Sequence, residues 1–176
     1  MVMSELSIWL DTYDDLYSDF DPRPYGKRLV SHDFINELKR NMHEISGGPV
    51  QLGLFIPEPA RKREAESEII TSLQNYFFKN LNVAEHALSK LVQQGIGMGL
   101  IGLALLLIAT YMVYEAFPGF LATAVTVVLQ PAGWFLVWNG LDNIFFESKA
   151  VKNEMNFLRK MQDCSIQFRS LNSATS

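Results

Sequence analysis

The sequence predicts a membrane α-helical hairpin of two transmembrane helices carrying a small cytoplasmic α/β domain. Three observations carry that prediction. The stretch from Leu91 to Leu141 holds one charged side chain, Glu115, although the 176-residue chain carries 15 Lys+Arg and 19 Asp+Glu. That stretch is divided near its middle by Pro118 and Gly119. Residues 1–60, in contrast, mix short apolar runs with ten acids and five bases. A single water-soluble domain does not segregate its charges this way. The acidic balance, net −4, also excludes a basic nucleic-acid-binding surface.

Residues 1–60 read as an acidic β-α-β domain. Leu6 to Leu10 (LSIWL) forms a short strand. Ser31 is placed to cap a helix reaching about Ile45, with Asp33 in its first turn and Phe34, Ile35, Leu38, Met42 and Ile45 on one face. Gly47-Gly48-Pro49 ends it, and Val50 to Ile56 (VQLGLFI) is a second strand closed by Pro57 and Pro59. A β-α-β order makes the two strands parallel. Between them, Asp11 to Asp21 (DTYDDLYSDFD) packs five aspartates and three aromatics into a turn-rich segment. Its spacing fails the EF-hand template, which needs a Gly at the sixth position and a Glu at the twelfth. Asp14, Asp15, Asp19 and Asp21 are therefore expected to dock on a basic surface. That surface is one such as Arg61-Lys62-Arg63, or Arg23, Lys27 and Arg28, in the same or another subunit.

Residues 61–90 continue as a long amphipathic helix with Ile69, Leu73, Tyr76, Phe77, Ala84 and Leu88 at helical spacing. No Pro or Gly intervenes before Gly95, so this helix is expected to run directly into the first span, 91–114. A second span covers 120–141, after an extracytoplasmic turn at 115–119. Each is long enough to cross a hydrocarbon core of roughly 30 Å. Lys79 and Lys90 precede the first span, and Lys149, Lys152, Arg159 and Lys160 follow the second. The positive-inside rule then puts both termini in the cytoplasm. The start of the chain is acidic and lacks the apolar core of a cleavable signal peptide. Residues 142–176 are expected to form a cytoplasmic helix with Ile144, Val151, Met155 and Leu158 on one face. A third strand at 165–171 and a polar tail then close the chain. The single cysteine, Cys164, forms no intramolecular disulfide and suits a reducing compartment.

Within the spans the candidate residues are few. Gly97, Gly99 and Gly102 spell G-x-G-x-x-G, but no strand precedes them and the run is uncharged, so a dinucleotide site is excluded. Gly95, Gly99 and Gly102 instead suit close helix packing, within the hairpin or between subunits. Thr123, Thr126 and Gln130 share one side of the second span. They serve either as an interhelical polar face or as the lining of a small oligomeric ion channel. Pro131 is expected to kink this helix. Trp134 and Trp138 are interfacial anchors. The residues Asn139, Asp142 and Asn143 offer a helix cap or a lipid head-group contact.

His32, His43 and His86 lack metal-ligand spacing, and no nucleophile context surrounds any Ser or Cys. The expectation is a non-enzyme without cofactor or metal. Two or three strands and one helix bury little on their own, which points to a homo-oligomer.

The segment FDPRPY, the strand ending in Pro, the helix bearing YFF and the second-span sequence PAGWFLVWNGLDNIFFESKAVKNEMNFLRKM together resemble an uncharacterised family of small bacterial inner-membrane proteins. The resemblance is carried by Trp134, Trp138, Asp142 and the pair Phe145-Phe146. It implies a cytoplasmic N-terminal domain, two transmembrane helices and a bacterial inner-membrane location. No activity comes with it. The expected role is that of a homo-oligomeric membrane scaffold or accessory subunit, with the channel as the alternative. Its partners are the lipid bilayer, further copies of itself and a cytoplasmic or membrane protein.

Overall fold

A computed structural model describes residues 4–42 and 50–171. The order of elements is β1 (Ser4–Trp9), α1 (His32–Met42), β2 (Val50–Pro57), α2 (Arg63–Tyr114), α3 (Phe120–Asp142), α4 (Ser148–Gln162) and β3 (Ser165–Leu171). Short 3₁₀ turns lie at Tyr13–Leu16, Tyr25–Lys27 and Glu58–Ala60, and a π turn at Asn143–Glu147 joins α3 to α4. The chain is thus mostly helical, with two long apolar helices and a small parallel sheet. The expected helix end at Ile45, Gly47-Gly48-Pro49, His43 and the polar tail 172–176 lie outside the described residues.

The chain divides into two compact units, and the boundaries fall inside α2 and α4 rather than at the ends of elements. One unit comprises the residues up to Asn82 and those from Met155; the other is Val83–Glu154. Domain edges read from the sequence, at 60 and 90, differ from this. The reason is that the first turns of α2 belong to the core of the sheet. Its residues Ile69, Leu73 and Phe77 are completely buried.

In the α/β unit the three strands run in the order β1-β2-β3, both pairs parallel. Leu6 aligns with Leu52 and Ile166, and Ile8 with Leu54 and Phe168. These side chains are buried and make one apolar face. The core is completed by Phe34, Ile35 and Leu38 of α1, by α2, and by Phe157, Leu158 and Met161 of α4. Helix α1 starts as expected: the Ser31 hydroxyl accepts from the Asp33 amide at 3.2 Å. The third strand, whose alternation is written in SIQFRSL, buries Ile166 and Phe168 and leaves Ser165 and Gln167 exposed.

The opposite face of the sheet carries Glu5, Ser7 and Trp9 on β1 and Gln167 and Arg169 on β3. Parallel sheets are usually covered on both faces; this one has a polar side. Glu5 and Arg169, on the two outer strands, meet at 2.6 Å. They meet above the central strand because Gly53 has no side chain there. A Cβ at Gly53 would lie 3.2 Å from the Glu5 carboxylate and 3.1 Å from the Phe55 ring.

Helix α2 is 52 residues long, about 78 Å, and its part from Val83 onward belongs to the second unit. The turn after it uses Ala116 at φ 47° and Gly119 at φ 108°. Ala116 carries the strain, since only glycine adopts such angles without cost. The returning α3 contains Pro131 and stays helical through it, from Phe120 to Asp142.

Candidate functional site

The carboxyl ends of parallel strands are where α/β folds commonly bind ligands. Here that edge is occupied by the chain itself. The Tyr13 side chain is buried; its hydroxyl donates to Glu66 at 3.1 Å and accepts the Lys62 amide at 2.9 Å. Arg61 forms a two-pronged pair with Glu66, at 2.6 and 3.0 Å. It also donates to the Ser170 hydroxyl at 2.6 Å and to the Phe168 carbonyl at 3.2 Å. One guanidinium therefore ties the start of α2 to the end of β3. The Arg61 hydrogen bonds hold the Glu66 carboxyl below its ordinary value, against the opposing effect of burial. Burial raises the Tyr13 phenol. All these groups are satisfied by one another, so the cluster is a structural clasp.

The acidic segment is likewise engaged at home. Asp15 accepts from the Asp11 and Thr12 amides at 2.7 and 3.0 Å, completing a capping box with Thr12. Asp14 pairs with Arg28 and accepts from the Tyr25 hydroxyl at 3.4 Å. Asp21 is buried, with Arg23 at 2.7 and 2.8 Å and the Leu29 amide at 2.7 Å. Those bonds, the Arg23 ones first, hold its carboxyl far below the usual carboxylate range. Only Asp19 of the four expected docking residues is exposed without such a role among the described residues. For Asp14 and Asp21 the same-chain alternative of the expected docking is the one observed. The basic surface is Arg23 and Arg28 of the same chain, because a loop this rich in turns leaves amides that carboxylates must satisfy. Arg61 and Arg63 take Glu66 and Glu58 instead.

In the hairpin unit the glycines divide into two kinds. A Cβ at Gly95 would lie 2.7 Å from the Gly140 carbonyl, and one at Gly102 would lie 2.7 Å from the Gly133 carbonyl. A Cβ at Gly140 would meet the Gly99 amide at 2.9 Å. Nothing lies within 4 Å of a Cβ at Gly97 or Gly99. Gly95 and Gly102 therefore serve the packing of α2 on α3 as glycines, whereas Gly99 meets α3 only through its backbone, against Gly140. A face committed in this way is taken from any contact between subunits. Gly133 and Gly140 were missed by sequence reasoning, although they repeat the seven-residue spacing of Gly95 and Gly102. Two antiparallel helices with small residues at that interval match in register.

Thr123 and Gln130 are exposed and Thr126 is half-buried at the flank of this seam. The Thr123 hydroxyl donates to the Gly119 carbonyl at 3.3 Å and that of Thr126 to Ala122 at 3.0 Å. Both hydroxyls are spent on their own helix. The Gln130 amide has no partner among the described residues. Trp134 and Trp138 are exposed.

No protein-family model, curated protein or solved structure matches the chain.

At the end of α3, Phe135, Trp138, Asn139, Asp142, Phe145 and Phe146 line a hollow of about 640 Å³. The last two ring positions come from the π turn. Asn139 and Asn143 direct their amides toward the Met98 sulfur, at 3.9 and 3.8 Å. A second, polar hollow of about 420 Å³ lies between Gly26-Lys27 and the α2 residues Glu68, Thr71, Ser72 and Asn75. Its sides come from positions more than forty residues apart, so no sequence motif announces it. Among the described residues, no three His, Cys, Asp or Glu side chains converge as a metal site would require.

Proposed function

We propose that this chain is a non-enzymatic integral membrane protein of the bacterial inner membrane, a homo-oligomeric scaffold or accessory subunit. In this reading α2 beyond Leu91 and α3 cross the bilayer, both termini face the cytoplasm, and the α/β unit is the interaction domain. The observation that carries it is the outer surface of the hairpin. The most apolar windows of the two long helices are only 11% and 6% buried. Leu100, Leu107, Tyr111, Val127, Val128 and Phe135 are all more than half exposed. A soluble protein does not present so continuous an apolar surface, whereas hydrocarbon solvates it.

Gln130 supports self-association. It sits midway along α3, exposed, with a free amide, and hydrocarbon offers an amide no partner. The same residue of a second copy supplies both donor and acceptor. Because the two threonine hydroxyls are already satisfied, the polar surface reduces to this single side chain. That favours a helix-to-helix contact over a water-lined path.

The test is native mass in nanodiscs. Wild type should be a dimer or small oligomer. Gln130→Leu should weaken association by roughly 3- to 30-fold, the range expected for an interhelical amide bond of about 0.6–2 kcal/mol; Gln130→Asn should restore part of it. A monomeric wild type, or an indifferent Gln130→Leu, would overturn the assembly. A ring of four or more copies that conducts ions in a planar bilayer would promote the channel instead.

A further inference from the structure

The hollow at the π turn combines three properties that together select a ligand. Its walls are aromatic: Phe135, Trp138, Phe145 and Phe146 are each between 65% and 74% exposed, so their ring faces are uncovered. It contains one charge, Asp142, exposed and with no hydrogen-bond or ion-pair partner among the described residues. No Lys or Arg lines it. Aromatic faces and a free carboxylate attract a cation, and an organic ammonium satisfies both at once. Asp142 is also the first charged residue after the uncharged sequence that begins at Ala116. On the membrane reading above, on which this inference rests, it stands where head groups meet hydrocarbon.

We infer that this hollow binds the ammonium head of a zwitterionic phospholipid, phosphatidylethanolamine, with the Asp142 carboxylate accepting from the ammonium and the Trp138 and Phe146 rings flanking it. Phe135, seven residues before Asp142 and so nearer the bilayer centre, offers apolar surface to the start of the acyl chains. The π turn is what brings the pieces together. Its wider ring places two consecutive phenylalanines beside Asp142, and such turns recur at functional positions. An anionic head group finds only a like charge here. The lipid would hold the end of α3 at a defined depth.

The experiment uses the full chain in nanodiscs made of equal parts phosphatidylethanolamine and phosphatidylglycerol, released gently and weighed by native mass spectrometry. Phosphatidylethanolamine should be retained about tenfold over phosphatidylglycerol. Asp142→Asn, a change at an exposed and unpaired position, should bring retention to the ratio of the disc. Trp138→Ala should reduce it several-fold. Trp134→Phe, on the same helix but outside the hollow, should leave it unchanged. Retention of the two lipids in the disc ratio by wild type overturns the inference, as does Asp142→Asn behaving like wild type. A second copy covering the hollow, with no lipid retained, overturns it too. Failure of the protein to enter any nanodisc would overturn the membrane reading and this inference with it. Entry with indifferent lipid retention leaves the membrane reading standing and removes only the site.

Discussion

The two units use the same helix, α2, in opposite ways. In the α/β unit, Phe77 is completely buried while its neighbour Phe78 is half exposed, so the apolar side faces inward. In the hairpin unit the inward positions are Gly95, Gly102 and Ala109, and the large residues Leu100, Leu103 and Leu107 face outward. One unit is held by hydrophobic burial from water. The other is held by close backbone contact between small residues of its two helices. The contrast teaches that hydrophobicity alone does not mark a core. In the hairpin the closest contacts are made by the smallest side chains, and the large apolar ones stay exposed.

The largest effect expected from this contrast is in the α/β unit. Phe77→Ala should cost about 3–5 kcal/mol, while Phe78→Ala should stay within about 0.5 kcal/mol. Cys164 provides the readout. It is the only cysteine, buried at the start of β3, and burial, with some help from the Asp163 charge, pushes its thiol up to about 11. Labelling therefore requires opening of the unit. Phe77→Ala should speed thiol labelling at least 100-fold at fixed pH, at about tenfold per 1.4 kcal/mol. Equal rates for the two alanine variants would show that the first turns of α2 are not part of the core.

A smaller effect should separate the glycines of the hairpin. Gly140→Ala places a methyl group 2.5 Å from the Gly95 carbonyl, a backbone atom that cannot swing aside. It should cost about 1–3 kcal/mol in hairpin stability. Gly97→Ala meets open space and should be neutral or stabilising by up to about 1 kcal/mol. Cross-linking of a cysteine pair introduced across the two helices, in a Cys164→Ser background, measures the approach directly. If both variants cross-link alike, the close seam is wrong.

Some of this was legible beforehand. The two long apolar helices, the parallel strands and β3 follow from charge-free length and from alternation, because each signal is local. The Ser31 cap is equally local. What stayed hidden depends on partners distant in sequence. Arg23 and Arg28 stood in view as a same-chain basic surface, but nothing near Asp21 reveals that the Leu29 amide will close on its carboxylate. Gly53 reads as an ordinary weak point in a strand until two outer strands bring Glu5 and Arg169 above it. Gly95 pairs with Gly140 only once Pro118 and Gly119 have turned the chain. The hollow around Asp142 depends on the π turn, for which the sequence NIFFE carries no known signature.

Acid should sharpen the comparison between the units by the smallest margin. Glu66 is held below its ordinary 4.5 by the Arg61 hydrogen bonds, and Asp21 below 3.8 by those of Arg23. Hydrogen bonds from Ser170 and Arg63 do the same for Glu58. A carboxyl depressed in the folded state contributes stability that is complete above its unfolded value and is lost as the pH falls toward its folded value. The α/β unit should therefore keep full stability above about pH 5 and weaken progressively below about pH 4.5. The hairpin from Leu91 to Leu141 has Glu115 as its sole acid, in the turn, and its seam contains no ionisable group. Near-ultraviolet dichroism, which reports packed aromatics such as Tyr13 and Tyr17, should fade on titration from pH 5 to pH 2.5, while most helical signal persists. Glu66→Gln should cost about 1.5 kcal/mol at pH 7, as expected for a charge-assisted hydrogen bond, and should flatten the acid slope. A slope that survives Glu66→Gln unchanged assigns the acid sensitivity to Asp21 and Glu58, whereas loss of both signals together would show that the two units do not melt independently.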